Sequence, residues 1–210
     1  MGYGADPGAV LDIVAEHAAR GAVVVKGNHD DAVATPDHDY YNETAAAAIQ
    51  WTRAALGESH KRFLSSLPLV AHDEHACFVH ASAASPARWE YVDSAGAADR
   101  SAAAAAKPYT FCGHVHRQVL YGRDARGRMI AFRPHRGVPI PVRASRGWLA
   151  VVGSAGQPRD GDPSAAYALA DLEAQSITFH RVPYDCAAAA RKIRAAGLPE
   201  AIAYRVERGV

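Results

Sequence analysis

The sequence is poor in features that would hold or place a protein from outside. Its three cysteines, Cys77, Cys112 and Cys186, include no Cys-x-x-Cys pair, and an odd count argues against a disulfide framework. Reduced core thiols in a cytoplasmic protein are the expectation. A dominant charge is also missing: 23 basic against 22 acidic residues leave a net charge of +1. That balance gives no global pull toward nucleic acid or a membrane surface. No stretch reaches the roughly 18 apolar residues of a membrane span, and no basic segment followed by an apolar core opens the chain. What remains is a chain of 210 residues, expected to form a single domain over 1–210 with a sizeable core. Its partners must be chosen by a local site.

Three apolar runs end in chemistry. Val23-Val24-Val25 is β-branched and too short for a helix, so it predicts a central strand that stops at Gly27 and delivers Asn28, His29 and Asp30. Ala76 to Val79 predicts a second strand, ending at His80. Tyr109 to Cys112 predicts a third, ending in Gly113-His114-Val115-His116. Parallel strands feeding one edge would gather Asn28, His29, His80, His114 and His116 on a common rim. Oxygen and imidazole ligands there suit Mn, Fe, Zn or Ni.

The order Gly-Asn-His-Asp, strand-end His, Gly-His-x-His resembles the calcineurin-like metallophosphoesterases, and the resemblance extends over nearly the whole chain. It is strengthened by Gly2-Tyr3-Gly4-Ala5-Asp6-Pro7, by Trp51-Thr52-Arg53 and by Gly153 to Asp160, which look like the small bacterial and archaeal branch. The resemblance implies an α/β fold, the four-layer α/β/β/α sandwich, and hydrolysis of phosphate mono- or diesters by a hydroxide bridging two divalent metal ions. It implies that Asn28, His80 and His114 hold one ion and His116 the other. It further implies that His29 serves the leaving oxygen while Asp30 holds its imidazole. The implied partner is a small phosphoester or nucleotide-like substrate.

The family pattern begins with Asp-x-His and Gly-Asp ligands on two strands before the Gly-Tyr-Gly, whereas this sequence opens at Met1-Gly2-Tyr3. The sandwich is therefore expected to lack its first strands, and the site to hold at most one weakly bound ion. The absent carboxylates also leave a rival reading, a non-catalytic binding module on the same fold. Other His-x-His hydrolases, such as amidohydrolases, place that motif early in the chain; here it follows Gly-Asn-His-Asp.

The remaining segments predict the frame. Asp6-Pro7 opens a helix up to Gly21, Asn42 opens an alanine-rich helix to Leu56, and Glu58 to Leu67 makes another. Asp31 to Tyr41 reads as a surface loop. Leu69 to His72 pairs with Ala76 to Val79, Val119 to Ala131 forms a hairpin, and Trp148 to Val152 is another strand. Ala166 to Leu172 pairs with Ser176 to Val182, and two helices close the chain. Arg133, Arg136, Arg143 and Arg146 cluster in a Pro- and Gly-rich connection that reads either as a phosphate-attracting rim or as a solvated loop. Arg159 has an open role.

Overall fold

The computed structural model describes residues 2–35 and 42–210. His38 and the rest of the expected loop from residue 36 to 41 lie outside that range. Helix α1 (Pro7–Ala19) starts with proline at its first position, as the sequence requires. Asp6 stands before it, but its carboxylate caps no amide and instead pairs with Lys192 Nζ at 2.9 Å. Helix α2 (Asn28–Ala34) occupies what was expected to be loop. Helix α3 (Glu43–Ala55) is capped by Asn42, whose Oδ1 accepts from the Ala45 amide at 2.9 Å, and α4 (Glu58–Ser66) stops before Pro68.

The larger sheet contains β1 (Val70–His72), β2 (Ala76–Val79), β3 (Tyr109–Cys112), β4 (Gln118–Arg123), β5 (Met129–Phe132) and β7 (Trp148–Val152). Its order is β1-β2-β3-β7-β4-β5. The neighbours β2, β3 and β7 run parallel, while β1, β4 and β5 join antiparallel, so the hairpins expected from alternation are present. The smaller sheet, β6 (Ile140–Pro141), β9 (Ser176–Val182) and β8 (Ala165–Asp171), is antiparallel.

Burial explains how these pieces meet. Ile177 and Phe179 of β9 point at Ala76, Tyr109, Leu120 and Trp148 of the larger sheet, so the two sheets pack face to face. The opposite face of the larger sheet, Val79, Cys112, Leu149 and Val151, packs against Ala98 of α5 (Ala95–Ala105). A separate helical core joins Ala48 of α3 to Ile193 of α6 (Cys186–Ala195) and to Ile202 and Val206 of α7 (Glu200–Arg208). Leu11, Val33, Ile49 and Leu64 tie α1 to α4 together. Fully burying a side chain such as Phe179 is worth ~1.5–3 kcal/mol. No helix among the described residues is long and apolar enough to cross a membrane.

One expected element does not form. Val23-Val24-Val25 takes no regular structure and belongs to neither sheet, and among the described residues its approach is tied by one main-chain bond, Lys26 N–H to the Pro68 carbonyl at 2.8 Å. High β-propensity cannot make a strand without a partner edge, because the ladder supplies the stabilisation. Val23 and Val25 instead border an apolar cleft of ≈ 570 Å³ between the sheets, with Phe78, Phe111, Val152 and Leu172.

Candidate metal and phosphate site

The site is assembled by register. Cys77 pairs with Thr110 and Phe78 with Phe111, so His80 and Gly113 leave the adjacent parallel strands β2 and β3 side by side. The Gly113 amide donates to the His80 carbonyl at 3.0 Å and holds the two chain exits together. Beyond it, His114 and His116 both take left-handed backbone, φ 63° for each. Imidazole residues in that region cost of order 1–3 kcal/mol and occur where a site over-determines them.

Asn28 arrives from the other side, on the first turn of α2. Gly27 precedes it because of space: a Cβ there would lie 2.9 Å from His80 Nδ1 and 3.2 Å from Asp30 Oδ2. The Gly27 amide donates to Asp30 Oδ2 at 2.8 Å, half of a capping box whose other half a glycine cannot supply. The far end of α2 is closed by Arg53, whose Nε donates to the Val33 carbonyl at 3.2 Å and Nη2 to that of Thr35 at 2.9 Å. This short helix is thus fixed at both ends, which its Asn-His-Asp-Asp sequence does not announce. Asp30 was expected to hold the His29 imidazole; its Oδ2 accepts from the Gly27 amide and so caps α2. Burial pushes its pKa up.

The expected ligands of the first ion converge. His80 Nε2 lies 2.9 Å from Asn28 Oδ1 and 3.0 Å from His114 Nδ1. A neutral imidazole carries at most one N–H, so Nε2 can donate to only one of these acceptors. At most one of the two contacts can therefore be an ordinary hydrogen bond donated by His80. Donor atoms sharing a cation at ~2.1 Å sit about 3 Å apart along an octahedral edge, so their spacing fits one divalent ion.

His116 stands apart. Its Nδ1 lies 2.6 Å from the Gln157 carbonyl, which can only accept, so Nδ1 carries the proton and Nε2 keeps the lone pair. Among the described residues no group of three or more His, Cys, Asp or Glu is placed to hold an ion. What converges is thus Asn28, His80 and His114, with the His116 imidazole standing separately.

All these imidazoles are neutral at physiological pH. Burial, reinforced by the neighbouring histidines, lowers His29 and His80 to about 3. Burial likewise lowers His114 and His116 to about 4, with the Arg159 charge adding to the effect. Neutral rings are the form that binds metal.

His29 is buried against Tyr3, with ring centroids 4.4 Å apart, and Tyr3 reaches His116 at 6.3 Å. A Cβ on Gly2 would fall 2.6 Å from His29 Nδ1, so the Gly-Tyr-Gly segment packs directly on this ring.

Sequence reasoning missed several walls of the site. The Trp89 ring stands edge-on to His80 at 5.9 Å, and Tyr91 stacks on His114 at 4.3 Å. Both come from a connection without periodicity, and nothing in it flagged them. Arg159 donates to Gln157 Oε1 through Nε at 3.2 Å and Nη2 at 2.8 Å, and its guanidinium lies 5.7 Å from the Tyr3 ring centre. Its place in the Gly153 to Asp160 stretch was the available signal.

Relatives bear on this arrangement. The model of the calcineurin-like phosphoesterase superfamily domain matches residues 6–175. An uncharacterized protein of Methanocaldococcus jannaschii is 31% identical, over 98% of this chain and 82% of its own length. The crystal structure of a metallophosphoesterase from Sphaerobacter thermophilus superposes with a TM-score of 0.86 at 36% identity, covering 100% of this chain and 85% of that one. A hypothetical protein from Pyrococcus horikoshii shares the fold, with a TM-score of 0.75 at 19% identity over 100% of this chain and 82% of that one. With His80 following β2, His114 and His116 following β3 and Asn28 opening α2, in the order of the motif, the chain belongs to the calcineurin-like phosphoesterase superfamily.

Proposed function

We propose that this protein is a metal-dependent phosphoesterase acting on phosphate mono- or diesters. The observation that carries the reading is His80 Nε2 standing 2.9 Å from Asn28 Oδ1 and 3.0 Å from His114 Nδ1. A divalent cation held there supplies Lewis-acid polarisation of a phosphoryl oxygen and a nucleophile from water at neutral pH. The chain's own groups do the rest. His116, with its proton fixed on Nδ1 by Gln157, offers Nε2 to a second cation or to the phosphoryl group.

His29, at about 3, is neutral in the free protein and donates a hydrogen bond to the leaving oxygen. It becomes a proton source only when the substrate's negative charge raises its pKa. Tyr3 holds the ring in place and, with Trp89 and Tyr91, keeps water from the rear of the imidazoles. The test is hydrolysis of nitrophenyl phosphate and bis-nitrophenyl phosphate by protein loaded with manganese, then stripped with chelator. Turnover that appears with metal and vanishes with chelator supports the reading, and none under either condition rejects it.

A second reading has its own observation. No carboxylate among the described residues joins the three convergent ligands, and a carboxylate is what offsets the charge of adjacent dications. A member that binds one cation without turnover fits that shortage. Metal binding with no hydrolysis of either ester would select it.

A further inference from the structure

Beside His116 the surface drops into a cleft of ≈ 450 Å³ walled by Arg117, Arg133, Arg136, Arg159 and Arg181, together with Asp160 and Asp162. Five guanidinium groups against two carboxylates leave it a net charge of +3 in a protein whose overall charge is +1. The carboxylates are already committed. Asp160 pairs with Arg181, whose side chain is 7% exposed and whose Nε donates to Gln118 Oε1 at 2.9 Å. Arg181 Nη1 also donates to the carbonyls of Asp162 and Ser164, at 3.1 and 3.2 Å. That residue forms a saturated, rigid floor. Asp162 pairs with Arg136.

Three arginines then have no carboxylate partner among the described residues. Arg117 donates through Nε to the Arg159 carbonyl at 3.2 Å, Arg159 spends its fork on the neutral Gln157 amide, and Arg133 is exposed. The cleft also adjoins the site through the main chain. Arg117 follows His116 in the chain, and the Arg159 amide donates to the His116 carbonyl at 2.9 Å.

We propose that this cleft is a subsite for a phosphate chain, so that the substrate of the neighbouring site is an oligophosphate, such as a nucleoside polyphosphate, rather than a simple monoester. The proposal rests on the phosphoesterase reading for its substrate, and on the cleft alone for its binding. Arginine forks match phosphate oxygens in pairs, and a volume of ≈ 450 Å³ lies within the range of small-molecule sites. No aromatic side chain among the described residues lines the cleft, so a nucleic-acid strand would find the charge it needs but no such ring for its bases to stack on. Of the four arginines clustered in the sequence, only Arg133 and Arg136 belong here. Arg146 lies elsewhere, over the Trp148 ring at 5.5 Å.

The experiment is calorimetric titration of chelator-treated protein with inorganic tripolyphosphate and with orthophosphate; omitting metal prevents tripolyphosphate from acting as a chelator. Tripolyphosphate is expected to bind at least about tenfold more tightly than orthophosphate, from added charge-assisted bonds. Joint replacement Arg117→Ala and Arg133→Ala, both exposed, should remove that preference, while Arg146→Ala should keep it. Thermal melting of each variant verifies its fold. Equal binding of the two anions, equal losses in all variants, or equally good competition by a short single-stranded oligonucleotide overturns the proposal. Preference for tripolyphosphate without hydrolysis of any ester would leave the subsite standing and remove the phosphoesterase reading. Ester hydrolysis without the preference would do the reverse.

Discussion

The two sides of the site follow opposite electrostatic rules. On one side His80 Nε2 stands 2.9 Å from Asn28 Oδ1 and 3.0 Å from His114 Nδ1, a cluster of neutral donor atoms suited to a cation. On the other, His116 adjoins Arg117 and Arg159, and the cleft beyond carries a net charge of +3. On the first side His80 and His114 are placed by main-chain register and Asn28 by helix α2, all of them half-buried or buried, whereas the second is held by side-chain forks and is open. The difference teaches that cation and anion recognition are built by separate means within one rim, so each can be damaged without the other.

The largest effect should come from the cation side. His80→Ala removes the atom shared by both short contacts, and cation affinity should fall by more than ~100-fold, since even outer partners of ligands cost 10–100-fold. Elemental analysis after dialysis measures it. If Arg117→Ala lost as much metal as His80→Ala, the two sides would not be separable.

The next effect is on stability. Imidazoles lowered from 6.5 to about 3 or 4 stay neutral in the fold while the unfolded chain takes up protons below pH 6.5. The stability they contribute is present above 6.5 and is lost as pH falls toward those folded values. Between pH 7 and 5 the metal-free protein should lose at least ~2 kcal/mol, one imidazole's share. Urea denaturation with chelator present measures this loss, and a flat profile would show that the rings are not desolvated. Added cation should restore stability in the upper part of that window.

Gly27→Ala forces a Cβ to 2.9 Å from His80 Nδ1. The expected cost is ~1–3 kcal/mol of overpacking strain, with weaker cation binding beside it. A variant of unchanged stability would mean that His80 has room to move. Arg159→Gln acts on the anion side alone. The KM for a phosphoester should rise about tenfold with cation affinity undiminished, the loss of one charged contact. Smallest is Asp30→Asn, expected to cost ~1 kcal/mol through its capping bond to Gly27. An unmoved pH–rate profile would fit that role, whereas a shifted one would restore Asp30 as the partner of His29.

The same division decides what the sequence reveals. His80 and Gly113-His114-Val115-His116 were legible because strand ends are signalled by short apolar runs, and parallel register then brings the ends together. The hairpins were legible from alternation, as in β4 and β5. Val23-Val24-Val25 misled because propensity is local and pairing is not. Helix α2 was hidden because Asn28, His29, Asp30 and Asp31 are turn formers, and what makes them helical is distant: Arg53 on the carbonyls and the packing of Val33 against Leu64. Trp89, Tyr91 and the arginine cleft had no periodic signature, since side chains reaching a site from loops obey no repeat.

The unpaired valine run has a kinetic consequence. His80 and His114 stand on strands whose amides are locked in ladders, but Asn28 follows a segment tied among the described residues by the Lys26 to Pro68 bond. Sub-global opening should therefore begin at residues 20–26, ahead of the helix that Arg53 holds, and amides there should exchange with deuterium orders of magnitude faster than those of β2 and β3. A cation held by Asn28, His80 and His114 would add a tie next to this segment, so that its residence time would depend on how often the segment opens as well as on the bonds to its ligands.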